Sequence, residues 1–382
     1  MSSKIILIGN TASMMLNFRS DLINKLLANN WKVYAFVCDF NQEQLKKIEK
    51  LGAEPIVYKM NRAGLNPFWD LKTILELKRK INEIEPDIVF AYFTKPVIYG
   101  SLAARLARVP KIIAMIEGLG SPFTEHKNGQ IFKIKFIKFI QVTLYRIALP
   151  FVNKIIFLNK DDPVDLIESY KIYHKRNSVK ILGPIGLNLN DFLYRSWDES
   201  QEVSFIFVAR LLAEKGIYEY LEAAKIVKSR YPKVVFKVIG GLDLENPYGL
   251  SELELEKLKL SGLIEYPGFV NNVPEYIEKS AVFVLPSYYR EGVPRSTQEA
   301  MAIGRPVITT DVPGCRETVV NGVNGFLVPK WDVNALVEKM CFFIENPEQI
   351  NIMGKASYNL ACERFDAHKV NKRLFEIMEI NN

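Results

Sequence analysis

Cysteine and histidine are scarce in this chain of 382 residues, which contains four cysteines and three histidines. The four cysteines stand far apart in the sequence and form no CxxC pair. Their spacing argues against a disulfide framework and against a zinc site. Because disulfides are rare in the cytosol, reduced thiols are the simplest interpretation.

Long uncharged apolar runs are also missing, since none approaches the roughly 18 residues of a membrane-spanning helix. Residues 1–9 resemble a short strand and lack the charged region, apolar region and cleavage site of a signal peptide. We therefore expect a protein that stays inside the cell and does not cross a membrane.

The composition is that of a soluble globular protein, with 48% apolar and 24% charged residues and a mean hydropathy of +0.01. The length suggests two domains. The net charge of +7 is unevenly distributed, because residues 1–190 carry +12 and residues 191–382 carry −5. A basic half indicates an anionic partner, which at this point is a nucleic acid, a phospholipid or a phosphorylated substrate.

Short β-branched runs alternate with segments of helical period, a pattern typical of parallel sheets covered by helices. Strands are predicted near 4–9, 33–38, 55–58, 88–92, 111–115 and 154–158, and then near 203–209, 234–240, 264–266, 282–285, 306–309 and 325–328. Helices are predicted near 16–28, 42–51, 67–84, 98–107 and 131–146, and then near 216–230, 273–280, 296–303, 334–345 and 347–364.

These elements predict an α/β fold of two tandem Rossmann-like domains, separated by the turn-rich linker 182–187 and facing a cleft. The predicted domains are residues 1–186 and 187–364. We expect residues 365–382 to form a helix that crosses back to the first domain.

The most informative stretch runs from Glu291 to Pro306, between an apolar strand and a helix that Pro294 is expected to open. Backbone N–H groups at the start of this helix suit hydroxyls or anionic oxygens. Carboxylates such as Glu291 and Glu299 accept hydrogen bonds from vicinal sugar hydroxyls. Two glutamates eight residues apart are more often solvated charges, but their place after a buried strand favours a binding role.

A second group of residues follows the strand at 203–209. Arg210 and Lys215 would both stand at the carboxyl end of that strand, where two cations match a diphosphate without a metal. An exposed basic turn is the alternative. Gly240 and Gly241 follow the next strand and permit close approach of a phosphate or sugar.

These residues resemble those of the family-four glycosyltransferases, which have two Rossmann-like domains of the glycosyltransferase B-type. The likeness covers nearly the whole chain. It implies that Arg210 and Lys215 bind the donor diphosphate, that Glu291 binds the donor sugar, and that Glu299 binds the ribose. The remaining donor-binding candidates that it implies or supports are Gly9, Gly240, Gly241, Phe269, Val270, Gly292, Val293, Pro294 and Arg295.

Three further motifs, at residues 66–68, 117–121 and 311–317, resemble a narrower bacterial group. Its members add N-acetylgalactosamine or a related sugar in α-1,3 linkage to a lipid-diphosphate-linked sugar. Many relatives have a histidine after the fifth strand where this chain has Glu117. Glu117 and Gly118 nevertheless stand at the carboxyl end of a predicted strand and remain candidates for the cleft.

The amino-terminal half supplies further acceptor candidates. Asn10 and Thr11 follow the first strand in a turn that lacks GxGxxG, which argues against a dinucleotide cofactor. An ordinary strand-to-helix turn is the alternative. Lys95 follows the predicted strand 88–92, at the same edge of the sheet, and is a candidate for binding the acceptor phosphate. Arg19 lies in the helix that follows the turn at Asn10 and Thr11, and a salt bridge on the helix surface is the simpler explanation of its role.

Residues 131–146 predict a basic, aromatic amphipathic helix. On a helical wheel Lys135, Lys138 and Arg146 share one side with Val142, and Phe139 lies on the other with further apolar residues. Such a helix suits a membrane interface. The alternative is a helix packed on its own domain, but a lipid-linked acceptor favours the membrane and a location at the inner face of the cell membrane.

The resemblance implies a retaining transfer from a UDP-sugar to an undecaprenyl-diphosphate-linked saccharide. The chain has no DxD motif and no evident nucleophile, so we expect no metal, no cofactor and a front-face path. Alternatives are an enzyme of the same fold with a soluble or different lipid acceptor, and a nucleotide-sugar-binding protein without turnover. No helix-turn-helix, zinc-finger or stacking signature supports nucleic-acid binding.

Overall fold

The computed structural model describes residues 2–61, 66–127, 129–243, 246 and 248–380. Their contacts divide the chain into two compact units. The amino-terminal unit comprises residues 1–122, 132–185 and 367–382, and the carboxyl-terminal unit comprises residues 123–131 and 186–366. The predicted first domain, residues 1–186, includes the segment 123–131, but contacts assign this segment to the carboxyl-terminal unit. We call residues 123–131 the strap.

A parallel sheet of seven strands forms the centre of the amino-terminal unit, in the order β3-β2-β1-β4-β5-β6-β7. The strands are β1 Lys4–Ile8, β2 Lys32–Val37, β3 Glu54–Val57, β4 Ile88–Tyr92, β5 Lys111–Ile116, β6 Lys154–Phe157 and β7 Val179–Ile181. The helices are α1 Ala12–Ala28, α2 Gln42–Lys50, α3 Pro67–Ile84, α4 Thr94–Leu106, α5 Phe132–Ala148 and the single turn α6 Asp161–Pro163. Central strands such as β4 are apolar throughout because helices cover both faces of the sheet.

The carboxyl-terminal unit contains a parallel sheet of six strands in the order β10-β9-β8-β11-β12-β13. The strands are β8 Ser204–Val208, β9 Val235–Ile239, β10 Glu265–Gly268, β11 Val282–Leu285, β12 Val307–Thr310 and β13 Gly325–Val328. The helices are α7 Ile217–Arg230, α8 Glu252–Leu260, α9 Val273–Glu278, α10 Arg295–Ile303, α11 Val333–Glu345 and α12 Glu348–Arg364. One cluster of buried side chains joins this sheet to its helices.

The last helix, α13 Ala367–Met378, belongs to the amino-terminal unit and packs against α1. The ammonium group of Lys25 on α1 lies 4.7 Å from the ring of Phe375 on α13. In the same unit α3 and α5 both pack against α4, so these three helices form one layer.

The predicted fold class is confirmed by the two doubly wound parallel sheets. Three boundaries differ for local reasons. α1 begins four residues early because the Thr11 hydroxyl caps it by accepting from the Met14 N–H. α4 begins at Thr94, directly after the left-handed Phe93. Pro294 occupies the N-cap position of α10 rather than its first turn.

Three elements of the described residues were not predicted from the sequence, namely the single turn α6, the helix α8 and the strand β7. α8 buries only Leu255, so its apolar periodicity is weak, although Ser251 and Glu254 form a capping box at its start. β7 is a short edge strand whose residues are half-buried or exposed. Among the described residues, no helix combines the length and apolar character needed to cross a bilayer.

Candidate active site

Lys215 and Glu291 form an ion pair at the carboxyl edge of the carboxyl-terminal sheet. The Lys215 ammonium lies 2.7 Å from a Glu291 carboxylate oxygen, and the two side chains are only 12% and 14% exposed. The Ser287 hydroxyl donates to the same oxygen at 3.0 Å. The predicted diphosphate-binding and sugar-binding residues are therefore in contact, and both are largely shielded from water.

Backbone hydrogen bonds fix the two loops that carry this pair. The Glu214 carbonyl, beside Lys215, accepts from the N–H groups of Tyr288 and Tyr289 at 2.8 and 2.9 Å. The next residue, Gly216, has a φ of +82°, and a Cβ there would lie 2.2 Å from the Pro286 carbonyl oxygen. The turn after β8 thus lies directly against the loop after β11, which are adjacent strands in the sheet.

The second predicted cation has a different environment. Arg210 is 52% exposed and donates to an Asp243 carboxylate oxygen at 2.5 Å. Sequence reasoning did not identify Asp243, because an aspartate in a loop after β9 has no distinguishing local signal. Since exposed ion pairs contribute little to stability, an anionic ligand is able to compete with Asp243 for the guanidinium group.

The two glycines after β9 differ in role. Gly240 has a φ of +149°, and a Cβ at this position would lie 1.8 Å from the Ala209 carbonyl oxygen. At Gly241 a Cβ would meet no described atom within 4 Å. Gly240 is therefore required by the backbone itself, whereas Gly241 borders open space.

The two donor-binding candidates after β10 differ in burial. Phe269 is 78% exposed, and Val270 packs against the core.

Glu299 lies on α10, about two turns beyond the loop that carries Glu291. It accepts from Arg295 Nε at 2.9 Å, and Arg295 also donates to the Gly186 carbonyl at 2.9 Å. Burial raises the pKa of the Glu299 carboxyl above its ordinary value, and the Arg295 charge opposes that rise. The two glutamates of the motif thus have separate partners.

The backbone between these glutamates is buried at Gly292, Val293 and Pro294. It is covered by Gly314, where a Cβ would lie 2.6 Å from the carbonyl oxygens of both Glu291 and Gly292. The 311–317 motif therefore supports the glutamate loop from the side of β12, a role that its sequence did not reveal.

The strap contacts three loops of the carboxyl-terminal unit. The buried Thr124 hydroxyl accepts from the Arg290 N–H at 3.1 Å, directly before Glu291. Glu125 forms an ion pair with Lys330, and the His126 ring stacks on Tyr248 with 4.2 Å between centroids. Sequence reasoning missed these contacts because they join residues more than 100 positions apart.

Three predicted site residues follow β1 in the amino-terminal unit. A Cβ at Gly9 would lie 2.6 Å from the Tyr92 hydroxyl oxygen, so close packing already requires glycine there. The Thr11 hydroxyl is used as the cap of α1. Asn10 is half-buried, and among the described residues its side-chain oxygen has no hydrogen-bond partner. Asn10 is thus the better placed of these residues to meet a ligand.

Lys95, Glu117 and Gly118 follow β4 and β5, the neighbours of β1 in the sheet order. Lys95 Nζ donates to the Asn61 carbonyl at 2.6 Å, and burial lowers the pKa of its ammonium group. Glu117 forms an ion pair with Arg19, and both side chains are less than 10% exposed. The expected surface salt bridge of Arg19 is wrong, since Arg19 is buried and its partner is the buried Glu117 carboxylate.

The predicted membrane helix α5 turns its aromatic side outward. Phe132, Phe136 and Phe139 are 82%, 53% and 65% exposed. Lys135 and Arg146 are also exposed, and Lys138 is half-buried near the Tyr170 ring. The buried side consists of Ile134, Gln141, Val142, Tyr145 and Ala148. Val142, grouped with the basic side on the helical wheel, therefore belongs to the core-facing side.

Comparisons with known proteins identify the family. The family described as Glycosyl transferases group 1 matches residues 195–360, and the family described as Glycosyl transferase 4-like matches residues 4–159. A capsular polysaccharide biosynthesis glycosyltransferase of Staphylococcus aureus, CapM, is 30% identical over 72% of this chain and 71% of its own length. This chain belongs to the family-four glycosyltransferases.

Other relatives of this glycosyltransferase cover more of its length. An N,N'-diacetylbacillosaminyl-diphospho-undecaprenol alpha-1,3-N-acetylgalactosaminyltransferase of Campylobacter jejuni is 28% identical over 95% of both chains. A UDP-Gal:alpha-D-GlcNAc-diphosphoundecaprenol alpha-1,3-galactosyltransferase of Escherichia coli is 27% identical over 78% of this chain and 77% of its own.

Solved structures show the same fold. HepE of Anabaena, in complex with UDP and glucose, has a TM-score of 0.77 over 99% of both chains at 18% identity. Sucrose-phosphate synthase of Thermosynechococcus elongatus has a TM-score of 0.75 at 17% identity, over 99% of this chain and 98% of its own. At these identities the likeness concerns the fold of the glycosyltransferase alone.

Proposed function

We propose that this glycosyltransferase moves a sugar from a UDP-sugar to an undecaprenyl-diphosphate-linked saccharide during assembly of a bacterial surface glycan, O-antigen or protein-linked glycan. The proposed sugar is N-acetylgalactosamine or a related hexose or N-acetylhexosamine. The observation that carries the proposal is the shielded Lys215–Glu291 pair, together with the exposed Arg210, which follows the same strand β8. The names of the Campylobacter and Escherichia relatives support this acceptor class.

In the proposed reaction the cations stabilise the leaving diphosphate. The bond between the sugar C1 and the diphosphate oxygen breaks, and negative charge accumulates on that oxygen. Lys215 and Arg210 neutralise this charge, and the contribution of the shielded Lys215 is the stronger because such interactions strengthen where water is excluded. Glu291 accepts hydrogen bonds from the sugar hydroxyls and keeps the Lys215 ammonium in place.

The proposed reaction retains the anomeric configuration. The acceptor hydroxyl attacks C1 from the face that the diphosphate leaves, and its proton passes to a departing phosphate oxygen. This front-face path needs no enzymic nucleophile. We also propose that no metal takes part, since the two cations supply the charge that a metal would otherwise provide.

The amino-terminal unit is proposed to bind the acceptor and to rest on the inner face of the cell membrane. Its exposed aromatic helix α5 carries three lysines and one arginine and has no acidic residue. Asn10, Lys95 and Gly118 lie at the carboxyl ends of neighbouring strands and are candidates for contact with the acceptor.

A donor panel tests the proposal. Purified protein is incubated with UDP- and GDP-sugars and a lipid-diphosphate monosaccharide, with and without EDTA, and products are identified by mass and linkage. We expect one UDP-sugar to yield a lipid-diphosphate disaccharide, unaffected by EDTA. Transfer only to soluble sugars would contradict the acceptor assignment, and donor binding without any product would contradict the enzymatic one.

A further inference from the structure

A second exposed apolar patch lies on the first turns of α3 in the amino-terminal unit. Phe68, Trp69, Leu71 and Leu75 are 68%, 56%, 54% and 51% exposed. The ammonium group of Lys72 lies 4.9 Å from the Phe68 ring and 4.5 Å from the Trp69 ring. We call these five residues the α3 patch. Contiguous exposed patches of this kind mark interaction sites on soluble proteins.

The α3 patch is separate from the face of α3 that packs into the core. The opposite side of the helix buries Thr73, Leu77 and Ile81, so α3 already has a complete packed face. Its start is fixed by Asn66, whose side chain accepts from the Phe68 N–H at 3.1 Å. The helix therefore presents the patch at a defined position and carries a second apolar face that the described residues of its unit leave exposed.

The α3 patch and the exposed side of α5 lie at the same edge of the amino-terminal unit. In a parallel sheet, each connecting helix starts near the carboxyl edge of the strand before it. α3 follows β3 and α5 follows β5, so both helices start at the carboxyl edge. Because both also pack against α4, their first turns lie in one layer.

We infer that the α3 patch and the α5 side chains Phe132, Phe136 and Phe139 form one docking surface for an anionic lipid bilayer. Lys72 lies over the Phe68 and Trp69 rings of the first patch, and Lys135 is exposed on the helix that carries the second. Tryptophan and phenylalanine beside lysine are the residues that interfacial helices use. This inference rests on the proposed function, which it deepens by adding a second membrane contact.

Charge favours a bilayer over a second copy of the chain as the occupant. A symmetric dimer through this surface would bring like lysines against each other, since the same patch meets itself across a two-fold axis. An anionic bilayer instead attracts these lysines while the aromatic rings enter the interface.

The two contacts have a geometric consequence. A single interfacial helix leaves the unit free to rotate about the helix axis, whereas two helices in one layer fix its orientation. Both patches lie on the first turns of their helices, so the carboxyl edge of the sheet, which carries Asn10 and Lys95, lies beside the docking surface. A lipid-linked diphosphate would then reach these residues without leaving the bilayer.

Vesicle flotation tests the inference. The full chain is mixed with phosphatidylglycerol–phosphatidylcholine vesicles and with phosphatidylcholine vesicles alone. We expect the double substitution Phe68→Ser/Trp69→Ser to lower the fraction bound to anionic vesicles by roughly tenfold, as Phe132→Ser/Phe139→Ser does. Leu106→Ser is the matched control, because Leu106 is 53% exposed at the opposite end of α4; it should bind as the wild type does.

Trp69 supplies a direct probe of insertion. Brominated lipids should quench more tryptophan fluorescence in the wild type than in Trp69→Phe. Thermal unfolding of each variant checks that the substitutions leave the fold intact, and sedimentation velocity detects self-association. Wild-type vesicle binding by the α3 variant, no difference in quenching, or a lost dimer in place of lost vesicle binding would each overturn the inference.

Failure of this inference is distinguishable from failure of the proposed function, because vesicle binding is measured without donor or acceptor. If the protein glycosylates a lipid-diphosphate acceptor but binds vesicles through α5 alone, only the second contact is wrong. If it binds through both helices but glycosylates no lipid-diphosphate acceptor, only the proposed function is wrong.

Discussion

At the scale of single residues, the two ion pairs at the carboxyl edge of the carboxyl-terminal sheet differ in how a ligand affects them. Lys215–Glu291 is largely shielded from water and receives a further hydrogen bond from Ser287. Arg210–Asp243 is half exposed on the arginine side. Breaking a shielded pair leaves one charge without its partner, which is costly, whereas breaking an exposed pair is not.

Replacing Lys215 by Met should lower kcat/KM. The expected loss of transition-state stabilisation is about 2–4 kcal/mol, the range found when one donor to a developing negative charge is removed. Steady-state kinetics with the matched donor measures the effect. Lys225→Met is the control, because Lys225 pairs with Glu222 on the surface of α7. A Lys215 variant within twofold of the wild type would contradict the diphosphate assignment.

The two glycines after β9 should respond differently to alanine. Gly240→Ala forces a Cβ to within 1.8 Å of the Ala209 carbonyl at a φ of +149°. We expect it to lower the free energy of unfolding by about 3 kcal/mol or more. Gly241→Ala should leave stability nearly unchanged. Equal denaturation midpoints for the two variants would contradict this assignment.

At the scale of elements, the strap is the segment that holds the glutamate loop from outside. It reaches the loops after β9, β11 and β13 through His126, Thr124 and Glu125. None of these residues needs to touch a substrate. The strap therefore acts on the site by positioning the backbone beside Glu291.

Replacing Thr124 by Val preserves the shape of the side chain but removes the acceptor for the Arg290 N–H. One such hydrogen bond contributes about 0.5–1.5 kcal/mol, and its loss loosens the loop before Glu291. We therefore expect the donor KM to rise by up to roughly tenfold, with a smaller change in kcat. Thr124→Ser keeps the hydroxyl and should restore the wild-type KM. Equal kinetics for the Val and Ser variants would show that the hydrogen bond does not position the loop.

The strap should also make stability depend on pH. Burial lowers the pKa of the His126 imidazole below its ordinary value of 6.5, and Glu214 opposes this shift. The unfolded chain therefore takes up the proton first, and stability falls as the pH drops below about 6.5.

His126→Phe keeps an aromatic ring against Tyr248 but removes the proton-binding group. Urea denaturation between roughly pH 5 and pH 7 should give a shallower loss of stability towards low pH in this variant than in the wild type. The same slope in both proteins would contradict the assignment of this pH dependence to His126.

At the scale of the whole molecule, periodic patterns and strand–loop–helix order made much of the fold predictable. Apolar β-branched runs located twelve of the thirteen strands that the described residues form. The adjacency of β8 and β11 explains why Lys215 and Glu291 meet. Asp243 and Thr124 were not predictable, since their partners lie far away in sequence and neither residue type is distinctive. The sequence also left undecided whether the aromatic side of α5 is exposed, because helical periodicity separates two sides of a helix but does not tell which of them is buried.

The proposed reaction is a retaining transfer from a UDP-sugar to a lipid-diphosphate saccharide. NMR of the disaccharide released from the lipid product, made with an α-configured UDP-sugar, tests it most directly. A retaining transfer gives an α anomeric signal for the newly attached sugar. A β signal would contradict the retaining path, and the absence of any lipid-diphosphate disaccharide with the full donor panel would contradict the proposed function.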